Sequence, residues 1–312
     1  MHKIHHVLST KQFSDRTLLE HLFEQAQNME RDDTFRTLPQ RMRGRILATV
    51  FYEPSTRTRF SFEASMQKLG GGVITAENAR ESSSAAKGET IEDSIRVIAG
   101  YADVIVLRHY LVGTAEAAAK VSPVPIINAG DGAGEHPTQA LIDIYTMRKE
   151  LGRIEGIRVA LVGDLKHGRT IHSLLPLLCL YPNVTIDLIS PPQLRMPEKY
   201  LEFLRERGAA SAEHVELEGV IEKADVVYVT RVQQERFSSQ AEYEAIRDVY
   251  VLNLETADSL KQQAIIMHAL PRVNEIAPEV DANSRAAYFR QAKNGLYVRM
   301  ALLDHLLASP YS

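Results

Sequence analysis

Short runs of branched apolar residues alternate with longer stretches in which apolar positions recur every three or four residues, and the alternation begins near residue 45. Such runs predict strands buried on both faces, with the longer stretches as the helices that cover them. Arg45 to Tyr52 (RILATVFY) predicts the first strand, followed by a helix through Leu69. Ala102 to Arg108 predicts another, with a helix near 114–121. Val124 to Asn128 leads through Gly130-Asp131-Gly132 into a helix over 137–151. There Ala140, Leu141, Ile144, Tyr145 and Arg148 follow helical spacing, and Gly152 supplies a stop.

The pattern then restarts. Ile157 to Val162 predicts a strand, 169–180 a helix, and Val184 to Ser190 a strand ended by Pro191-Pro192. A helix around 197–207 and strands at Val226–Thr230, Tyr250–Asn253 and Ala264–Met267 follow. Residues 285–307 close as helix, with Ala301, Leu302, Leu303, Leu306 and Leu307 on an apolar face. The expected fold class is α/β: two doubly wound parallel-sheet domains with a cleft between them. The expected division is 1–135, a linking helix 136–149, and 150–285, with the last helix (288–312) returning to the first domain. Two polar loops stand out, 77–90 and 231–248. Long polar loops in compact domains are disordered or functional.

Composition narrows the function. The 312 residues are 45% hydrophobic and 24% charged, ordinary for a globular chain with a sizeable core. Lys and Arg number 36 against 40 Asp and Glu, a formal charge of −4, so no global field draws nucleic acid or an anionic membrane. Any anion site is local. The single cysteine, Cys179, sits among leucines and reads as packed helix. No apolar run approaches the ~20 residues of a membrane span. The opening Met1-His2-Lys3-Ile4-His5-His6 lacks a secretory apolar stretch, which makes the cytoplasm the expected compartment. Its histidines stand without Cys or carboxylate partners in a ligand spacing, so no metal site is expected.

The chemistry should lie beyond the carboxyl ends of the strands. The first predicted strand runs into Glu53-Pro54-Ser55-Thr56-Arg57-Thr58-Arg59 at a helix start. Hydroxyls, backbone N–H groups and the helix dipole favour an anion there, and Arg57 adds a two-pronged donor. Three hydroxyls and two arginines in five residues argue for an oxyanion site over a merely capped helix. Arg108 ends the next strand, beside His109. His136 and Gln139, three apart on a helix's first turn, can polarise a carbonyl and orient an attached NH₂, although a Pro turn with a capping histidine fits equally.

In the second series, Gly163-Asp164-Leu165-Lys166-His167-Gly168-Arg169 lacks G-x-G-x-x-G and disfavours a nicotinamide cofactor. Thr230-Arg231-Val232-Gln233 and His268-Ala269-Leu270-Pro271-Arg272 again put arginine or amide groups at strand ends. Arginines, hydroxyls, one histidine and two amides make a site that binds anions and accelerates by positioning and electrostatics.

Together, Phe51 to Phe60 (FYEPSTRTRF), His136-Pro137-Thr138-Gln139, Gly163-Asp164-Leu165, Thr230 to Gln233 and His268 to Arg272 resemble the transcarbamoylase family over nearly the whole chain, in its aspartate branch. Ornithine-type relatives usually carry His-Cys-Leu-Pro where this chain has His268-Ala269-Leu270-Pro271; Ala269 also departs from the second proline of many aspartate enzymes. The resemblance implies transfer of a carbamoyl group from carbamoyl phosphate to L-aspartate, a step of pyrimidine biosynthesis, with no cofactor. It assigns Ser55, Thr56, Arg57 and Thr58 to the phosphate, Arg108 to phosphate and carbonyl, His136 to the carbonyl and Gln139 to the amide. Arg169, Arg231 and Gln233 would hold aspartate, while Leu270 and Pro271, joined by a cis peptide, would contact the carbamoyl group. Ser83 and Lys87 would reach into a neighbouring chain's site, making a homotrimer with shared sites and leaving room for a separate regulatory chain. The loop at 231–248 would gate the site. Two other readings compete: a transcarbamoylase for another amine such as ornithine, and a non-catalytic anion-binding subunit.

Overall fold

The computed structural model describes residues 4–79, 88–132, 134–234, 237 and 239–307. The chain divides into two compact units, Met1–Leu141 with Asn294–Ser312, and Ile142–Lys293. Each is built on its own wholly parallel sheet.

The first sheet holds β1 (Ile46–Phe51), β2 (Gly72–Glu77), β3 (Val104–His109) and β4 (Ile126–Asp131) in the order β2-β1-β3-β4. The inner strands are apolar because both faces are covered, and Ala48, Val50, Ile105, Leu107 and Ile126 join Ile95 and Ala118 in one core. The helices are α1 (Arg16–Thr34), α2 (Thr56–Lys68), α3 (Ile91–Ile98) and α4 (Thr114–Val121). Val7 adds a parallel bridge to Ile127 at the β4 edge.

α5 (Pro137–Leu151) spans the boundary between the units. It stops at Gly152, whose φ of 71° a side-chain-bearing residue resists. The second sheet has the order β7-β6-β5-β8-β9, from β5 (Arg158–Val162), β6 (Thr185–Ile189), β7 (Ala210–His214), β8 (Val226–Val229) and β9 (Ile265–Met267). Its helices are α6 (Arg169–Leu178), α7 (Glu198–Glu206), α8 (Gln240–Glu244) and α9 (Leu254–Ser259). Ala160, Val162, Val227, Val229, Ile266 and Tyr288 anchor the core.

The last helix, α10 (Tyr288–Leu307), returns to the first unit from Asn294 onward. There the Ser65 hydroxyl donates to the Leu296 carbonyl at 2.9 Å, and Arg41 pairs with Asp304 at 2.6 Å.

Three expectations need correction. Tyr250–Asn253 is not a strand: Leu252 makes only an isolated bridge to Ile276, and the apolar run fills core space instead. β2 and β7, together with α1 and α3, escaped the apolar pattern. Both strands are outer ones, and β7 (ASAEH) shows no fully buried residue. The loop at 231–248 is not uniformly polar, since Val232, Tyr243 and Ile246 pack with Leu194 and Phe237. Ser83 and Lys87 lie outside the described residues. Cys179 is half-buried just beyond α6, and burial raises its thiol to about 11.

Candidate active site

A parallel sheet leaves room for a ligand beyond the carboxyl ends of two strands where the strand order reverses. In the first unit the chain passes from β1 outward to β2 and returns to β3, so the reversal lies between β1 and β3. In the second it lies between β5 and β8. Ser55 to Thr58 and Arg108 lie at the ends of β1 and β3, and Arg169, Arg231 and Gln233 follow β5 and β8; His136 and Gln139 follow β4, and Leu270 and Pro271 follow β9.

At the β1 end, Ser55 precedes α2 but makes no capping hydrogen bond, whereas Asp15 and Thr90 cap their helices. The first N–H groups of α2 have no intrahelical partner and point where an anion would sit. Thr56 and Arg57 are exposed there and Thr58 is buried. Arg59 does not share this end. Its guanidinium pairs with Glu63 at 3.2 Å and with Glu77 at 2.8 Å. Two residues along a helix turn by about 200°, which sends Arg57 and Arg59 to opposite sides and removes one of the two arginines counted for the anion.

Arg108 stands in register with Phe51 of β1. Its side chain donates to the Ala129 carbonyl at 3.2 Å and lies 3.6 Å from Glu53, so it spans from the β1 end to the β4 end. His109 beside it is buried between the rings of Tyr52 and Tyr110, at 4.6 and 4.3 Å. Burial lowers its pKa, and the ring accepts the Leu111 N–H at 3.0 Å.

His136 is buried, and its carbonyl accepts the Gln139 N–H at 3.0 Å, which places both on the first turn of α5. Two carboxylates pin the segment that delivers them. Asp131 accepts from the N–H groups of Gly113 (2.9 Å) and Glu135 (3.1 Å), and Glu135 accepts from the Ser9 hydroxyl and the Thr10 N–H, both at 2.8 Å.

In the second unit the β5 and β8 ends touch. Gly163 has φ 110°, and a Cβ there would lie 2.4 Å from the Thr230 carbonyl oxygen, so only glycine fits. Arg169 opens α6 after β5, and Arg231 and Gln233 follow β8. The Gln233 amide donates to the His167 carbonyl at 3.3 Å, joining the two ends. The buried Asp164 accepts the His167 N–H at 2.9 Å. His172 reaches the Leu165 carbonyl at 2.8 Å and stacks on Tyr200 at 4.0 Å. Beyond β9, the Leu270–Pro271 peptide is cis, as the family resemblance implies.

Behind these ends runs a buried polar network. Asp143, wholly buried in α5, accepts from the Tyr228 hydroxyl at 3.0 Å and the Gln291 amide at 2.7 Å. Gln291 in turn accepts the His268 N–H at 2.9 Å, and Tyr228 also bonds Thr170. Burial first, and Asp143 second, hold the Tyr228 phenol well above its usual range. The network ties the bases of the Arg169, Arg231 and Leu270 segments. The available signal was an aspartate inside the apolar stripe of Leu141 and Ile144.

Among the described residues no cluster of His, Cys, Asp and Glu could hold a metal ion, and no helix is long and apolar enough to cross a membrane.

The family model described as aspartate/ornithine carbamoyltransferase, carbamoyl-P binding domain, matches residues 5–149. Its Asp/Orn binding domain counterpart matches 155–306. A chloroplastic aspartate carbamoyltransferase of Arabidopsis thaliana is 51% identical over 302 residues, covering 96% of this chain and 77% of the relative. The aspartate carbamoyltransferase catalytic subunit of Thermococcus kodakarensis is 48% identical over 297 residues, covering 95% of each. Among solved structures, the catalytic subunit of M. jannaschii aspartate transcarbamoylase superposes with a TM-score of 0.91 at 47% identity, over 97% of this chain and 98% of that one. A Trypanosoma cruzi aspartate transcarbamoylase solved with carbamoyl phosphate and aspartate gives 0.92 at 40% identity, over 98% of both chains. With both halves matched in order and half the residues shared with such relatives, the chain belongs to the aspartate/ornithine carbamoyltransferase family.

Proposed function

We infer that the chain transfers the carbamoyl group of carbamoyl phosphate to the amine of L-aspartate, giving N-carbamoyl-L-aspartate and phosphate, a step toward pyrimidines. The observation that carries this reading is the chemistry of the two strand-order reversals. One ends in hydroxyls, Arg57 and Arg108, with His136 after the neighbouring β4; the other ends in Arg169, Arg231 and Gln233. The solved T. cruzi relative with both substrates bound supports it.

Ser55, Thr56, Arg57 and Thr58 hold the phosphate on the α2 N-terminus. Arg108 reaches phosphate and carbonyl oxygen, His136 polarises that carbonyl, and Gln139 orients the carbamoyl NH₂. Leu270 and Pro271 contact the same carbamoyl group. Arg169, Arg231 and Gln233 hold the two carboxylates of aspartate, whose uncharged amine attacks the carbamoyl carbon. The N–C bond forms, the carbonyl becomes a tetrahedral oxyanion, the amine passes one proton to an oxygen of the departing phosphate, and as the carbonyl re-forms the C–O bond to phosphate breaks with its electron pair leaving on phosphate. The side chains act by orientation and by charge already in place, without a cofactor.

The active assembly is a homotrimer in which Ser83 and Lys87 complete a neighbour's site. Supporting this, β2 is an outer strand and Phe60, Val97 and Tyr101 are more than half exposed on the same unit. A regulatory chain is a further partner, in keeping with the name catalytic subunit carried by the Thermococcus relative. The compartment is the cytoplasm, with a plastid as the outcome that would displace it, since plant relatives are named chloroplastic.

An acceptor panel with carbamoyl phosphate tests the activity. We expect carbamoyl-aspartate to form fastest; faster turnover of ornithine, or binding without turnover, would sink the assignment. Native mass spectrometry reads the assembly. Mixing inactive Lys87→Ala and Arg57→Ala chains restores activity if sites are shared, and no recovery in verified mixed trimers rules sharing out.

A further inference from the structure

His268 and Glu275 are 4% and 3% exposed, and the mechanism above gives neither a role. The His268 Nδ1 receives the Leu270 N–H at 2.7 Å, and its Nε2 lies 2.7 Å from Glu275 Oε1. The other carboxylate oxygen, Oε2, accepts the N–H groups of Val273 and Asn274, each at 3.1 Å. A backbone N–H can only donate, so Nδ1 must present a lone pair. The single ring proton then sits on Nε2, where the carboxylate accepts it. Protonating the ring would set donor against donor at Leu270.

The held residue has a conformational cost of its own. Leu270 has φ 55°, the left-handed region that a residue with a branched side chain rarely enters. A short bond from its N–H to a buried acceptor offsets that cost and sets the direction of the Leu270 carbonyl and of Pro271.

We propose that His268 is a positioning residue: a neutral imidazole, fixed as its Nε2–H tautomer by Glu275, that clamps the Leu270 backbone in the geometry the carbamoyl group meets. The proposal rests on the reading that Leu270 and Pro271 touch that group. His268 itself does not contact substrate. The pair acts as a rigid bracket across residues 268–275, and Gln291 secures its base through the His268 N–H.

Selective ¹⁵N-histidine labelling of the intact protein tests the tautomer, with His268 assigned by loss of its signals in His268→Asn. We expect an unprotonated Nδ1 and a protonated Nε2; a proton on Nδ1 overturns the proposal. The clamp is tested by amide exchange at Leu270 and by kinetics, comparing His268→Asn, whose Oδ1 can accept the N–H two residues on, with His268→Leu, which cannot. Exchange should stay slow in His268→Asn and rise in His268→Leu. In His268→Leu, kcat should fall about 100-fold, as for a reacting group misplaced by an ångström, while inhibition by inorganic phosphate is unchanged. His268→Asn should restore most of kcat. Slow exchange in His268→Leu means that His268 does not hold the turn. Fast exchange with an unchanged kcat means that the turn is held but does not meet the carbamoyl group. Either result overturns the proposal, and the two are distinguishable.

Discussion

The carboxylate of Glu135 lies 2.8 Å from the hydroxyl of Ser9, a residue 126 positions earlier in the chain. Thr10 closes the other carboxylate oxygen with its N–H at 2.8 Å and its hydroxyl at 3.1 Å. The residue next to His136 is thereby tied to the N-terminal segment, which itself bridges to β4 through Val7. Glu135→Ala should cost about 1–3 kcal/mol, the range for a hydrogen-bonded charged group, and should lower kcat because His136 loses its support. Thermal unfolding and steady-state rates check both. An unchanged melting temperature together with an unchanged kcat would remove any role for the tether.

In the proposed mechanism Arg57 serves carbamoyl phosphate and Arg231 serves aspartate. Arg57→Ala should lower kcat/KM for carbamoyl phosphate by about 10²–10³-fold, the usual loss for a preorganised charge stabiliser, with kcat itself falling. Arg231→Ala should act mainly on the KM for aspartate. Equal effects of both variants on both substrates would contradict the division.

Tyr228 and Asp143 meet in a wholly buried hydrogen bond of 3.0 Å. Tyr228→Phe keeps the ring and strips one donor from the carboxylate, a loss of about 1–3 kcal/mol. Asp143→Ala should cost more, about 3–5 kcal/mol, because it leaves several buried donors without an acceptor in addition to a void. Urea midpoints of the two variants give the order, and a more stable Asp143→Ala would show the network to be dispensable.

His172 gives the fold an acid limit. Burial lowers its pKa from 6.5 to about 4, so the folded ring is neutral where the unfolded one is already charged. Below pH 6.5 the unfolded chain binds the extra proton, and stability falls as pH drops from 6.5 toward 4, by as much as about 3 kcal/mol. His172→Phe keeps a ring to stack on Tyr200 and removes the titration. Its unfolding free energy should change less over this interval than that of the unsubstituted protein, and identical pH dependence in both would refute the assignment.

The inner strands were legible because burial on both faces demands unbroken apolar runs, as in Ile46–Phe51 and Val226–Val229. The outer strands were not. β7 pairs along one edge only and tolerates Ser, Glu and His, so its pairing with β6 rather than its composition makes it a strand. Ser55 to Thr58, Arg108, His136 and Gln139 are legible as strand-end chemistry, whereas Arg59 belongs to the same short run and carries the same local signal. Only helical rotation separates it from Arg57.

The order of elements, the polarity of each strand end and the chemistry of the candidate anion-binding groups are properties of the linear chain, because local periodicity and residue type are enough to specify them. Which carboxylates brace the site is decided in three dimensions. Glu135 meets Ser9, Asp143 meets Tyr228 and Glu275 meets His268 only after distant or turned segments pack together. An acid in the sequence is equally compatible with water and with a buried donor. Tertiary packing removes the water, and an unpartnered charge then costs too much to keep, so each of these residues acquires a single partner and a single orientation.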